Sequence, residues 1–208
     1  MKVISHRGFW IHKDEKNTHT AFSRSFEMGL GTETDVRDNN GKLVISHDVP
    51  IGIEDSFENF LLLLNKYPNS NGLSIALNIK SDGLAFKIAS LLKKDYSGID
   101  LFAFDMSIPD MLSYIKLGIP VFTRMSEIEL DPVLLTKVDG VWLDSFYTDW
   151  FSYKHIEKLQ SISKRICIVS PELHGRPYVD MWMKLKEMNT SDLLLCTDKP
   201  VEALNFFN

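Results

Sequence analysis

Glu33, Asp35 and Arg37 occupy alternating positions in Gly31-Thr32-Glu33-Thr34-Asp35-Val36-Arg37. Strand side chains repeat every two residues, so all three point to one side of a β-strand. Two carboxylates on the inner side of a strand repel each other and lose hydration unless a cation compensates them. A hard divalent ion such as Mg²⁺ or Ca²⁺ takes oxygen ligands of this kind. His6, in His6-Arg7-Gly8, and His47, in Ser46-His47-Asp48, each end a β-rich run. Asn78 and Lys80 end another and share one face by the same period of two. The set suits cleavage of a phosphodiester. That reaction removes a proton from the attacking oxygen, gives one to the leaving oxygen, and needs positive charge on the non-bridging oxygens. His6 and His47 are the candidate acid and base. Arg7, Lys80 and a divalent cation on Glu33 and Asp35 are candidates for the positive charge.

Those residues must be held by a framework, and the sequence supplies a regular one. Eight β-rich runs recur: 3–6, 31–37, 73–79, 101–104, 119–123, 141–143, 165–169 and 193–196. Stretches with apolar spacing near 3.6 lie between them, at 20–28, 57–66, 84–94, 110–117 and 179–188. Alternating β and α gives a parallel sheet, and eight such units predict a compact α/β fold, the (β/α)8 barrel, as a single domain over residues 1–208. Asn39-Asn40-Gly41 before Lys42-Leu43-Val44-Ile45 predicts a small hairpin after the second strand, which brings His47 back toward Glu33 and Asp35. Barrel enzymes place their sites at the C-terminal ends of the strands. Glu172, His174 and Arg176, just past the seventh run, fall on that rim, as do Asp105, Arg124, Asp144 and Asp198. Trp142 is expected in the core.

Bulk properties exclude several classes of function. A formal net charge of −5 and no basic stripe argue against a nucleic-acid partner. No Gly-x-Gly-x-x-Gly or Walker loop follows a strand, which removes support for nucleotide-binding folds. Cys167 and Cys196 sit in separate apolar runs and read as free core thiols. The N-terminal run is too short for a signal peptide, and the longest apolar stretch, 60–64, is far short of a bilayer span. We expect a cytoplasmic protein with no stable membrane association.

His6-Arg7-Gly8, then Asn17-Thr18 with Ala21-Phe22, then Gly31-Thr32-Glu33-Thr34-Asp35-Val36, then Gly41 and His47-Asp48 resemble the N-terminal signature of the glycerophosphodiester phosphodiesterase family. The resemblance covers about the first fifty residues in order, and continues more weakly in Asn78-x-Lys80. It implies a barrel enzyme with two histidines as acid and base and a divalent metal on the E-x-D carboxylates. It also implies attack by a neighbouring substrate hydroxyl through a cyclic phosphate, with direct attack by water as the alternative. Two positions depart from the family pattern. Lys16 stands where a glutamate usually precedes Asn-Thr, with Glu15 one step earlier, and Asn78 stands where a third metal carboxylate is usual. Asn78 can still offer an amide oxygen, and Glu172 is the candidate replacement carboxylate. The substrate class is a soluble glycerophosphodiester or a glycerophosphate-linked sugar, with Arg7, Lys80 and Arg176 as the groups that bind it. A catalytically silent barrel that binds a phosphorylated ligand is the second reading.

Overall fold

The computed structural model describes residues 1–67, 72–95, 99–188 and 192–207. The chain divides into two compact units, one of residues 5–121 and one of residues 1–4 with 122–208.

In the unit of residues 5–121 the strands are the end of β1 (Lys2–His6), β2 (Gly31–Asn39), β3 (Lys42–Ile45), β4 (Ser74–Ile79) and β5 (Asp100–Phe104). They run in the order β5-β4-β2-β1, and β2 pairs in parallel with β4, as β4 does with β5. Val121 bridges the far side of β5 at Ala103. β3 folds back antiparallel on β2 with Asn39 opposite Lys42, so the intervening turn is Asn40-Gly41. Both turn residues have positive φ, 49° and 80°, which asparagine tolerates and glycine adopts freely. The hairpin is therefore where the sequence places it.

Helix α1 (His19–Glu27) starts where Thr18 accepts the Ala21 N–H and stops before Gly29, in the left-handed conformation at φ 70°. Its buried positions, Ala21, Phe22, Ser25 and Phe26, follow the 3.6 period. Helix α2 (Phe57–Leu64) is capped by Ser56 and brings Phe60 edge-on to Phe22 at 4.8 Å between centroids. Replacing such a fully buried phenylalanine by alanine costs about 3–5 kcal/mol. α3 (Ala85–Asp95) and α4 (Ile108–Lys116) complete this unit.

The other unit contains β6 (Phe122–Met125), β7 (Gly140–Leu143), β8 (Arg165–Val169) and β9 (Leu193–Thr197), paired in parallel in that order, with β1 beside β9. Helices α5 (Tyr153–Ser161), α6 (Val179–Lys186) and α7 (Pro200–Phe207) lie between and after these strands. Cys167 and Cys196 are buried on β8 and β9 as thiols outside any disulfide, and Trp142 is buried on β7. The run expected to be a strand at 119–123 starts its ladder at Phe122, with residues 119–121 leading in beside β5. Neither α5 nor α7 is in the reading of the sequence. α5 buries only Ile156 and Leu159, too sparse a stripe to show as a period. No helix among the described residues is long and apolar enough to cross a membrane.

Candidate active site

β2 carries the centre of the site. Glu33 and Asp35 are 1% and 0% exposed, an arrangement that two ionised carboxylates cannot hold without compensation. Arg7 supplies part of it. The residue has a positive φ of 57°, which turns the chain directly after β1. Its N–H donates to the Glu33 carbonyl at 3.0 Å and to Glu33 Oε2 at 3.2 Å. Its Nε stands 2.8 Å from Asp35 Oδ2. Lys80, just past the end of β4, places Nζ 3.4 Å from Asp35 Oδ1. Burial, and then the neighbouring Asp35, push the Glu33 carboxyl well above the usual range, while Arg7 and Lys80 oppose that rise.

Gly8 permits this turn. At φ 84° its N–H donates to Thr32 Oγ1, and a Cβ there would come within 2.6 Å of Ala21 Cβ. The His-Arg-Gly step therefore works as a unit, in which glycine lets the loop close on α1 so that Arg7 can turn back onto β2.

Asn17, singled out in the sequence as part of the signature but given no role there, meets both Arg7 and Asp35. It too has a positive φ, 61°. Its N–H donates to the Arg7 carbonyl at 2.9 Å, its Nδ2 donates to Asp35 Oδ2 at 2.8 Å, and its Oδ1 accepts from Thr34 at 3.0 Å. One side chain thus holds the loop after β1 and the β2 carboxylate in register. The available signal was asparagine, the non-glycine residue best suited to a left-handed turn, next to the helix cap Thr18.

His6 Nε2 lies 3.9 Å from Glu33 Oε2. His47 is half exposed and pairs through Nδ1 with Asp48 at 2.9 Å. Its backbone is fixed on both sides, since the Ser46 N–H donates to the Asp35 carbonyl and Arg37 Nε donates to the His47 carbonyl, both at 3.1 Å. Arg37, read as a third member of the charged row, here holds the histidine-bearing segment against β2.

Asn78 stands opposite Asp35 in the parallel register of β2 and β4. Asp35 Oδ1, which faces Lys80 as an ion pair, and Asn78 Oδ1 are buried and accept no hydrogen bond from the described residues. Oxygen atoms left over in this way suit a hard cation, so Glu33, Asp35 and Asn78 fit a divalent ion by donor type. Their charge is only that of two carboxylates, already faced by Arg7 and Lys80. Among the described residues, no group of three or more His, Cys, Asp or Glu side chains gathers as a metal centre.

Glu15 and Lys16, at the position that departs from the family pattern, have structural partners. Glu15 receives both guanidinium nitrogens of Arg24, at 2.6 and 3.0 Å, and the N–H groups of Ile11 and His12. These contacts lower its pKa to about 2. Lys16 Nζ sits 4.4 Å over the Trp10 ring.

Glu172 and Arg176 belong to the other unit. Glu172 accepts from the Ser170 and Thr197 hydroxyls and from the Asp198 N–H, so both of its oxygens are engaged. Arg176 donates to the Ser145 carbonyl at 2.9 Å and to Asp149 at 2.5 Å. His174 pairs with buried Asp144 at 2.7 Å and packs on Phe146.

By sequence, no family model and no curated protein matches the chain. By structure, it is similar to a glycerophosphodiester phosphodiesterase from Parabacteroides distasonis, with a TM-score of 0.74 and 18% identity over 99% of this chain and 96% of that one. A glycerophosphodiester phosphodiesterase from Agrobacterium tumefaciens gives a TM-score of 0.70 and 17% identity over 100% and 98%. The chain has their fold. The eight parallel strands with alternating helices are thus those of a (β/α)8 barrel, and β3 is its hairpin addition.

Proposed function

We propose that this protein is a phosphoric diester hydrolase that cleaves a glycerophosphodiester-type substrate to a phosphomonoester and an alcohol. The observation that carries the proposal is the convergence of Arg7 and Lys80 on Asp35, beside buried Glu33, with His6 at the end of β1. A diester phosphate brings one negative charge, and two cations already gathered at one point offer it a place. His6 and His47 exchange protons with the attacking and leaving oxygens. Asp48 orients His47 through Nδ1, and the Glu33 carboxylate faces His6. Arg37 holds His47 in place.

A divalent cation, Mg²⁺ or Ca²⁺, would be held by Glu33, Asp35 and Asn78. When bound it supplies positive charge to the non-bridging oxygens and a lower pKa to a water. Glu172 could join it only by giving up Ser170, Thr197 and Asp198. Arg176, already paired with Asp149, would reach the substrate only from that anchored position. The structural neighbours are named for glycerophosphodiesters, and the substrate class proposed here is a small glycerophosphodiester, free or linked to a sugar, acted on in the cytoplasm by a single barrel domain.

The second reading, a silent barrel that binds a phosphorylated ligand, draws on the neutral Asn78 and on a site whose two carboxylates are already balanced by two cations. Product analysis separates the two. Incubating the protein with sn-glycero-3-phosphocholine and related diesters should release a phosphomonoester and an alcohol in equal amounts. Tight binding of the diesters with no product would favour the silent barrel.

A further inference from the structure

Residues 46–55 form a loop that carries His47 near its first foot. Its ends are joined, because the Ile45 N–H donates to the Asp55 carbonyl at 2.9 Å and Val44 bridges Ser56. Asp55 is itself anchored by His19 Nε2 at 2.7 Å and by Asn59 Nδ2 at 2.7 Å. Beyond His47 the loop reads Val49-Pro50-Ile51-Gly52-Ile53. Val49, Ile51 and Ile53 are 75%, 80% and 84% exposed, the three most exposed large apolar side chains among the described residues. Ile11, four residues after Arg7 in the loop that follows His6, is 60% exposed.

This exposure is built into both loops by the same device. Glu54 accepts the N–H groups of Ile51 and Gly52 at 2.5 and 2.9 Å, and Glu15 accepts those of Ile11 and His12 at 2.7 and 3.2 Å. In each loop one carboxylate binds two successive backbone groups, which fixes the tip and spends its hydrogen bonds internally. The aliphatic side chains are left facing water. A tip selected only for solubility would carry polar residues there. Both apolar tips follow within a few residues, along the chain, on the segments that bear the proposed acid and base.

We infer that Val49, Ile51 and Ile53, together with Ile11, form an apolar lip that seats a hydrocarbon chain on the substrate. The preferred phosphodiester then carries an alkyl or acyl chain on its alcohol or glycerol side. The inference rests on the phosphodiester reading and extends its substrate class to glycerophosphodiesters that carry a hydrocarbon chain. Covering one methylene is worth about 0.8 kcal/mol, or roughly fourfold in affinity.

The test is titration calorimetry of the His6→Ala protein with the methyl, butyl and octyl esters of sn-glycerol 3-phosphate, kept below micelle formation. It is repeated with Ile51→Ser and Ile53→Ser added, both exposed positions outside the acid/base machinery. The octyl ester should bind at least about thirtyfold more tightly than the methyl ester, the effect of two to three covered methylenes. The double serine change should bring octyl affinity to within about threefold of methyl affinity and leave methyl binding unaltered. Equal affinity for all three esters, or a chain-length effect that survives the serine changes, overturns the lip while a bound and hydrolysed methyl ester keeps the phosphodiesterase reading. Vesicle binding that requires Ile51 and Ile53, without a chain-length effect on monomeric esters, also overturns it and assigns the lip to a bilayer. If no ester binds and the wild-type protein hydrolyses none, the functional reading falls, and the lip with it.

Discussion

Asn17 Nδ2 donates to Asp35 Oδ2 at 2.8 Å, on the oxygen that also faces Arg7 Nε at 2.8 Å. Asp35 is fully buried, so it needs both partners. Because Asn17 also binds the Arg7 carbonyl, it fixes the acid and its counter-ion relative to each other.

Asn17→Gly keeps the left-handed backbone and removes the side chain, which isolates this contribution. Urea denaturation should show a loss of about 1–3 kcal/mol, the cost of leaving a buried acceptor short of one donor. Turnover should fall with it, since Arg7 loses its reference point. Unchanged stability would show that Arg7 and Lys80 hold Asp35 by themselves.

Asn78→Asp adds a third carboxylate opposite Asp35. Calorimetric titration should show Mg²⁺ or Ca²⁺ binding at least about tenfold more tightly than in the wild type, because ligand charge count sets affinity for hard cations. Without cation the variant should melt at a lower temperature at neutral pH, with three carboxylates facing two cations, and Mg²⁺ should restore it. An unchanged dissociation constant would place the cation elsewhere.

Glu15 gives a pH signature away from the chemistry. The two N–H···O contacts from Arg24, with the Ile11 and His12 amides, hold its pKa at about 2, well below the usual carboxylate range. A depressed carboxylate stabilises the folded state above its unfolded pKa, and that contribution is lost as pH falls through the folded value. Glu15→Gln should therefore lower the melting temperature at pH 7, and the gap to wild type should narrow as pH drops from about 4.5 toward 2. A gap that does not depend on pH would mean that Glu15 acts only through shape.

The barrel rhythm was legible because most strands are short apolar runs and α1 to α4 and α6 carry a clear stripe, whereas α5 and α7 do not show one, and the hairpin was legible because Asn40-Gly41 suits a tight turn. The row Glu33-Asp35 was legible from a period of two. Asn17 was visible only as a signature residue, and its role was not, since that role arises from a left-handed turn that brings two distant segments together, and no spacing encodes that meeting. Arg37 was placed on the correct strand, but its use in holding His47 depends on where the hairpin ends. Glu172 and Arg176 follow a strand as expected, yet Thr197 and Asp198, which join nearby Ser170 in engaging Glu172, and Asp149 opposite Arg176 lie 25 to 27 residues away. The exposed tip at 49–53 resembles an ordinary apolar run in sequence, and only its accessibility sets it apart.

In the proposed reaction His6 and His47 perform acid/base chemistry on a phosphodiester beside a cation-dependent carboxylate pair. The most direct test compares steady-state turnover of glycerophosphodiesters by wild type, His6→Ala and His47→Ala, with Mg²⁺ or Ca²⁺ and with EDTA, alongside melting curves. Each substitution should remove at least about a hundredfold of the rate, the usual scale of a general acid or base, while the fold melts as before, and EDTA should abolish wild-type turnover. Near-normal rates in both variants, or wild-type turnover indifferent to EDTA, would contradict the account.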